Sequence, residues 1–348
     1  MKGIKLDSQY STTRLLFYEG SFQKQEERYN KQTYRKKKKF NGLKSCGFTK
    51  FSYELKDNKW IISEKGIFVE DTPEFFDKFR DVGKIPLISI ITVVLNDPHG
   101  LEKTIKSVIN QDYPNIEYII IDGGSSDETI KILKKYENKI DLWISEKDNG
   151  IYDAMNKGIK LANGEWINFM NAGDVFYDFG VLSKIFKEKD FSKWDIVYGN
   201  AILVGGEKTR PRISTSNITE IKRKMLFNHQ ASFVKGFIYK EILFDTSFKY
   251  AADYDFFLKC YLSNFKFLHI NRFIAVYDLN GISSKKTLSV KIEYLKSTIK
   301  NKCSVKTISY HIVMVIKVLL KTLLKKILRL IFSEKLYGYV IHKIRMKH

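Results

Sequence analysis

At 348 residues, with 44% hydrophobic and 14% aromatic side chains, the chain can bury the core of one sizeable domain with extensions, or of two domains, which excludes a disordered polymer. Sixty Lys and Arg against 39 Asp and Glu leave a net charge of +21, so the surface is drawn to anions: nucleic acid, lipid headgroups or a phosphorylated substrate. Cys46, Cys260 and Cys303 are scattered, with no CxxC and no metal-ligand spacing; this argues against a disulfide framework and a zinc site and suits reduced thiols in a cytosolic setting.

The N-terminal stretch MKGIKLDSQYSTTRLLF contains an apolar run too short for a signal peptide, and no uninterrupted apolar stretch reads as long enough to span a bilayer, so a cytoplasmic location is expected. Residues 1–85 carry the basic run Arg35–Phe40 and no sustained periodicity; no fold is assigned to this extension, although Lys59–Glu70 could pair as a hairpin. From Pro86 the pattern changes. Leu87–Asn96 is a continuous apolar, β-branched run, as expected of a strand buried on both faces of a parallel sheet. Helix-like Gly100–Gln111, strand-like Ile116–Asp122, helix-like Asp127–Glu137, strand-like Asp141–Ser145, helix-like Gly150–Ala162 and strand-like Glu165–Met170 follow with short polar connections. Repeated strand-helix steps predict an α/β sheet wound from βα units, whose ligands sit beyond the carboxyl ends of the strands. Asn96, Asp122, Glu146, Asp148 and Asp174 all fall there.

Several residues carry candidate chemistry. Asp122 precedes two glycines that permit a tight turn and close ligand approach, and it has no evident cap to make, whereas Asp127 suits an N-cap of the next helix. Asp153 and Lys157 share a helical face and read as a surface ion pair. Asn156, on the same helix, needs a partner if buried: either the adjacent loop or a ligand. His229 is open to a structural hydrogen bond or a ligand contact. Asp253 and Asp255 lie two apart in the helical run Ala251–Leu262 and point different ways; Asp253 could cap its own helix or face a substrate. Leu279–Lys286 reads as a flexible Gly-Ser segment, suited to phosphate or to an ordinary surface loop. Finally, Val305–Ile331 places Ile308, Ile312, Ile316, Leu319, Leu323 and Ile327 at helical spacing, with Lys317, Lys321, Lys325 and Arg329 on another face and Lys335, Lys343, Arg345 and Lys347 continuing the charge. Such a basic amphipathic helix can pack on the domain or lie on an anionic membrane, and the density of cations favours the membrane.

The segments PLISIITVVLN, IDGGSSD, DNGIYDAMNKGI, NFMNAGD, HQASF and AADYDFFLK occur in an order and spacing that resemble family 2 glycosyltransferases, inverting bacterial enzymes of the GT-A fold that build surface polysaccharides. The resemblance covers roughly residues 86–285, between the 1–85 extension and the 286–348 helical tail. It implies a hexosyl-type transfer from a nucleotide diphosphate sugar, commonly a UDP-sugar, to a glycan or polyprenyl-linked acceptor, with Asp253 as catalytic base. Thr92, Val94, Asn96, Asp122, Asp148 and Asn156 would bind the nucleotide. Asp174, with His229 beside it, would serve a divalent cation, Mn²⁺ or Mg²⁺, and the diphosphate, while Asn171 in the same loop and Asp255 beside Asp253 would be secondary site residues. The loop departs from the family pattern in having one acid, Asp174, where relatives have two or three, and Met155 stands where an Arg is frequent.

Two other readings compete. A sugar-nucleotide-binding homologue without catalysis would suit the thinned acidic loop. A nucleic-acid-binding protein would suit the charge, but the lysines concentrate in the two extensions and no recognised nucleic-acid motif is present, so no specific nucleic acid is expected. The expected site of action is the inner face of the cell membrane, with the protein held peripherally.

Overall fold

The computed structural model describes residues 2–5, 16–18, 41–43, 48–63, 67–68, 74–187, 189–205, 208–279 and 287–331. The basic run 35–40, Cys46, segment 280–286 and the cations beyond residue 331 lie outside them.

Strands β1 (Lys2–Lys5), β2 (Leu16–Tyr18) and β3 (Phe48–Thr49) form a small antiparallel sheet. A second antiparallel sheet, ordered β6-β5-β4-β7, contains β4 (Tyr53–Lys56), β5 (Lys59–Ile62), β6 (Ile67–Phe68) and β7 (Lys84–Ile85). The expected hairpin is present, with Ile61 opposite Phe68 and Ile62 opposite Ile67. The preceding hairpin turns on Asp57 and Asn58, both at positive φ (49° and 62°), the conformation that fits the twist of a two-residue turn. The N-terminal extension, which has no fold legible in its sequence, is therefore partly sheet, and its rings enter the main core: Phe76 packs against Tyr53 and Trp60 at 5.2 and 5.1 Å, and Phe79 against Tyr113 at 5.8 Å. Lys50 ties it down further, its buried ammonium donating to Ile116 O at 2.6 Å and pairing with Asp141 at 2.7 Å.

The main sheet has nine strands, ordered β10-β9-β8-β11-β15-β13-β16-β12, with β14 pairing β13. Its first part alternates β8 (Ile88–Val94), α1 (Pro98–Ile109), β9 (Ile116–Asp122), α2 (Thr129–Lys135), β10 (Leu142–Ser145), α3 (Ile151–Leu161) and β11 (Trp166–Phe169). These four strands are mutually parallel, as the βα pattern requires. Every residue of β8 and β9 is buried, and successive side chains feed opposite cores: Ile88, Ile90 and Val94 one, Ile91 and Val93 the other. Because β9 and β11 leave β8 on opposite sides, a crevice opens at the carboxyl ends of β8 and β11.

The second part comprises β12 (Val175–Phe176), α4 (Val181–Phe186), β13 (Ile196–Gly205), β14 (Lys208–Arg212), β15 (Ser232–Lys235), α5 (Gly236–Glu241), α6 (Ala252–Leu262) and β16 (Phe267–Asp278). Here the sheet turns mixed, with β15 antiparallel to both β11 and β13. At the opposite edge, Asn41 bridges Trp143 of β10, and Gly42 (φ +91°) lies where a Cβ would come 2.6 Å from Ile140 O.

Two helices close the described chain, α7 (Thr287–Lys300) and α8 (Val305–Ile331). The start of α8 docks through His311, which is 1% exposed and lies with Nε2 2.9 Å from Lys222 O. Beyond it, Ile312, Ile316, Leu319, Leu320, Leu323, Leu324 and Ile327 are exposed, which supports the helical periodicity and leaves this stretch unpacked. Val305–Leu324 is helical, has a mean hydropathy of 1.6 and has the length to cross a bilayer, although Lys306, Lys317 and Lys321 keep its apolar run from being uninterrupted, as expected from the sequence. Lys317 and Lys321 interrupt the run in sequence but share one side of the helix, so a continuous apolar side remains.

Candidate active site

The loops at the carboxyl ends of β8, β9 and β10 brace one another. Asn96, at positive φ (51°), accepts from Ser126 N with its side-chain oxygen and donates its backbone N–H to Ser125 Oγ. Asp122 is fully buried and accepts from Gly124 N, Ser125 N, Ser125 Oγ and Ser145 Oγ. With no helix to cap, this acid holds the Gly-Gly turn in shape by an Asx-type network. A Cβ at Gly123 would lie 2.4 Å from Asp148 Oδ2, so any side chain there would displace that carboxylate. Burial pushes the Asp148 carboxyl up, against the opposing hydrogen bond from Gly150 N. Asp127 accepts from Thr129 N, the first residue of α2, although it stands one residue before the N-cap position, Glu128, which makes no side-chain cap.

Four of the expected site residues make contacts within the fold itself. Thr92 is fully buried and donates to Met170 O at 2.7 Å, with Tyr118 OH 3.1 Å away; Val94, on the same strand face, belongs to the core. Neither side chain opens to the crevice, because the alternation along β8 turns both inward. Asn156 takes the adjacent-loop alternative, donating to Phe244 O at 2.8 Å and accepting from Phe244 N at 2.9 Å. Asp255 is also fully buried, pairs with Lys259 at 2.6 Å and accepts from Ser297 Oγ and Asn301 Nδ2, anchoring α7. Lys157 is not a surface cation: it is buried, pairs with Glu146 at 2.9 Å and reaches Asp153 only at 3.5 Å. Met155, where the resemblance expects an arginine contact, is core.

The remaining residues converge. Asp253 sits in the first turn of α6 with its side chain 21% exposed; the N-cap position is Ala251, and Asp253 Oδ1 accepts from the adjacent Tyr254 N at 2.8 Å, so one of its oxygens serves the helix start while the carboxylate stays partly open. Tyr152 OH, from the first turn of α3, donates to Asp253 Oδ1 at 3.4 Å. His229 Nδ1 lies 3.5 Å from Asp253 Oδ2, and its Nε2 lies 3.2 Å from Asn171 Nδ2. With the Asn171 amide donating to Nε2, Nδ1 carries the proton and faces the carboxylate. Asp174, 4% exposed, accepts from Gln230 Nε2 at 2.7 Å and from Asp278 N at 3.1 Å. Burial pushes its carboxyl up to about 6, outweighing those two hydrogen bonds and the nearby His229. Asp174, Asn171, His229 and Asp253 thus form one contiguous cluster between the end of β11, the turn before β15 and the start of α6.

Sequence reasoning missed Gln230 and Asn168. The Asn168 amide, buried within β11, donates to Gln230 O and Ser232 O at 2.9 and 2.8 Å and so fixes the His229 turn. A polar residue inside the apolar strand WINF was the available signal. Beside Asp174, the side-chain oxygens of Asn171 and Gln230 are buried without a hydrogen-bond donor among the described residues. Unpartnered oxygens next to a carboxylate suit a hard cation. No group of three or more His, Cys, Asp or Glu among the described residues could hold a metal unaided.

A nucleotide-type crevice at the switch point of a mixed sheet, with an acidic cluster across it, defines the class, and comparison with known proteins gives the family. Residues 89–248 match the profile of glycosyl transferase family 2. An uncharacterized glycosyltransferase of Mycobacterium tuberculosis is 34% identical over 206 residues, which is 57% of this chain and 78% of that protein. A PGL/p-HBAD biosynthesis glycosyltransferase of Mycobacterium bovis is 29% identical over 219 residues, covering 61% of this chain and 83% of that one. Among solved structures, the mannosyltransferase PcManGT from Pyrobaculum calidifontis, in complex with GDP-Man and Mn²⁺, superimposes with a TM-score of 0.50 at 15% identity, over 62% of this chain and 64% of that one. The chain belongs to glycosyltransferase family 2. It is a glycosyltransferase, and its fold is GT-A.

Proposed function

We propose that the protein is an inverting glycosyltransferase that moves a sugar from a UDP-sugar to a hydroxyl of a glycan or polyprenyl-linked acceptor, at the cytoplasmic surface of a membrane, in the building of a surface polysaccharide or envelope glycolipid. The observation that carries this reading is Asp253: a partly exposed carboxylate in the first turn of α6 whose Oδ1 accepts from Tyr254 N, with Tyr152 also on Oδ1 and Oδ2 facing His229. In the transfer, Asp253 takes the proton of the acceptor hydroxyl as that oxygen bonds the anomeric carbon. The bond from that carbon to the nucleotide diphosphate breaks, and its electron pair leaves with the diphosphate. His229 and Tyr152 orient the carboxylate. Asn96 and Asp148, on the loops beyond β8 and β10, border the nucleotide, with Asp122 holding the loop between them.

A divalent cation, Mn²⁺ or Mg²⁺, fits the donors present: Asp174 as the charged ligand, with the unpartnered Asn171 and Gln230 oxygens beside it; His229, whose nitrogens face Asp253 and Asn171, would join only by giving up the Asn171 contact. When bound, it supplies positive charge to the departing diphosphate. The Pyrobaculum enzyme, alike in fold, was solved with a nucleotide sugar and Mn²⁺, which supports this cofactor class. The mycobacterial relative named for PGL/p-HBAD biosynthesis supports an envelope glycolipid as acceptor. The exposed apolar stretch of α8 and the net charge of +21 support contact with an anionic membrane.

The test is Asp253→Asn. Transfer should fall at least about 100-fold while UDP affinity stays within about twofold, since loss of a proton acceptor acts on the transition state. Transfer near the wild-type rate would remove Asp253 from the mechanism.

A further inference from the structure

The loop that delivers Asp253 is held by a residue from the tail. Lys249 N donates to Glu293 Oε1 at 2.9 Å, and Tyr250 N and Ala251 N donate to Glu293 Oε2 at 2.8 Å each. Ala251 is the N-cap of α6 and has no capping side chain. In an ordinary capping box an acid three residues into the helix reaches back to the N-cap N–H. Here position 254 is Tyr, and the acid comes from α7, 42 residues along the chain.

The neighbouring contacts repeat the arrangement. Tyr254 stacks on Tyr294 with centroids 3.8 Å apart, and Asp255 accepts from Ser297 Oγ at 2.7 Å and Asn301 Nδ2 at 2.9 Å. Residues 293, 294 and 297 of α7, with Asn301 just beyond its end, grip residues 249–255. Within that stretch, Asp253 reaches the other way, towards Tyr152 and His229. An acid bound by three successive amide donors fixes the backbone on which the carboxylate rides, and a displacement of about 1 Å at a reacting group is enough to cost about 100-fold in rate.

We infer that Glu293 is a positioning residue of the transferase: by bonding three successive backbone amides before α6, it sets Asp253 against the acceptor hydroxyl. The inference rests on Asp253 being the base. It makes α7 part of the catalytic unit, although by sequence alone that helix falls in a tail beginning at 286.

The experiment compares full-length wild type, Glu293→Gln, Glu293→Ala and Asp253→Asn. UDP release is measured with whichever of UDP-glucose, UDP-galactose and UDP-N-acetylglucosamine the wild type turns over fastest, together with UDP affinity by calorimetry and amide hydrogen exchange over residues 249–255. Glu293→Gln keeps one acceptor oxygen, so kcat should fall about 10-fold, and about 100-fold in Glu293→Ala, with donor KM and UDP affinity within about twofold. Exchange should rise at 249–255 and stay unchanged at 228–232. A lowered Tm with unchanged kcat would mean that Glu293 only stabilises the fold, and unchanged exchange would show that it does not hold the loop; either result overturns the inference. If Asp253→Asn keeps its activity, the base assignment falls by itself, and the exchange data still report on the grip of Glu293.

Discussion

Asp174 is a carboxylate that the fold would rather keep neutral. Its pKa rises from 3.8 to about 6 in the folded chain, chiefly through burial. The folded state therefore binds its proton more tightly than the unfolded state does. Its favourable contribution is complete below pH about 4 and is lost as pH rises through about 6, a swing of about 3 kcal/mol. In metal-free protein at pH 7.5, Asp174→Asn should raise unfolding stability by up to about 3 kcal/mol, and at pH 4 it should change little. Gln230 assists by turning its amide, so that the buried oxygen that now lacks a donor accepts from the new amide group. Urea denaturation at the two pH values measures this; equal effects at both would refute the titration account. The same substitution should reduce UDP affinity in Mn²⁺ to about the wild-type level in EDTA, whereas Asn171→Ala should lower it much less, because a neutral amide carries no charge for the cation. Calorimetric titration of the three proteins decides it, and a wild-type affinity that ignores Mn²⁺ would dismiss the cation from this loop.

At the scale of elements, α3 shows how much a pattern conveys and where it stops. Its apolar face was legible from spacing, and Met155, Ile159 and Leu161 are indeed core. Whether Asn156 met a ligand or a loop was not legible, because its partner Phe244 is 88 residues away. Asn156→Ala should strand the backbone N–H and C=O of Phe244 and cost about 2–4 kcal/mol of stability while leaving UDP affinity unchanged. A variant of normal Tm with weakened UDP binding would restore Asn156 to the nucleotide. The parallel strands were readable because burial on both faces leaves an unbroken apolar run such as Ile88–Val94. The 50–85 region was not, since its stability is long-range: Lys50 meets Asp141 across 91 positions, and Phe79 meets Tyr113. Asp253 was legible through its motif, but Gln230 and Glu293 act on acids 56 and about 40 positions away, which no local spacing reveals.

For the whole molecule, the positive charge and the helix that leaves the domain belong together. The first turns of α8 are fixed by His311 against Lys222 and Tyr254, whereas Leu320 and Leu324 are 60% and 51% exposed. Replacing both leucines by Glu should leave the His311 contact intact and move the protein from the pellet to the supernatant when it is spun with anionic liposomes. Unaltered sedimentation, with the fold preserved, would remove α8 from the membrane contact.

The short pairing of Asn41 and Leu43 with β10 has a consequence for handling the protein. Asn41 and Trp143 exchange backbone hydrogen bonds at 3.2 and 3.1 Å, and Leu43 N donates to Ile140 O at 3.1 Å. Among the described residues no other strand pairs with that side of β10, so these residues act as a stopper on an edge that would otherwise offer its amides to another strand. A chain begun at Phe48 keeps the Lys50 tie and the second sheet but uncaps β10, and it should associate with rising concentration where the full chain does not, as light scattering would record. The lone glycine of that stopper is as necessary as the pairing, since any side chain at Gly42 collides with Ile140 O and lifts the cover from the edge.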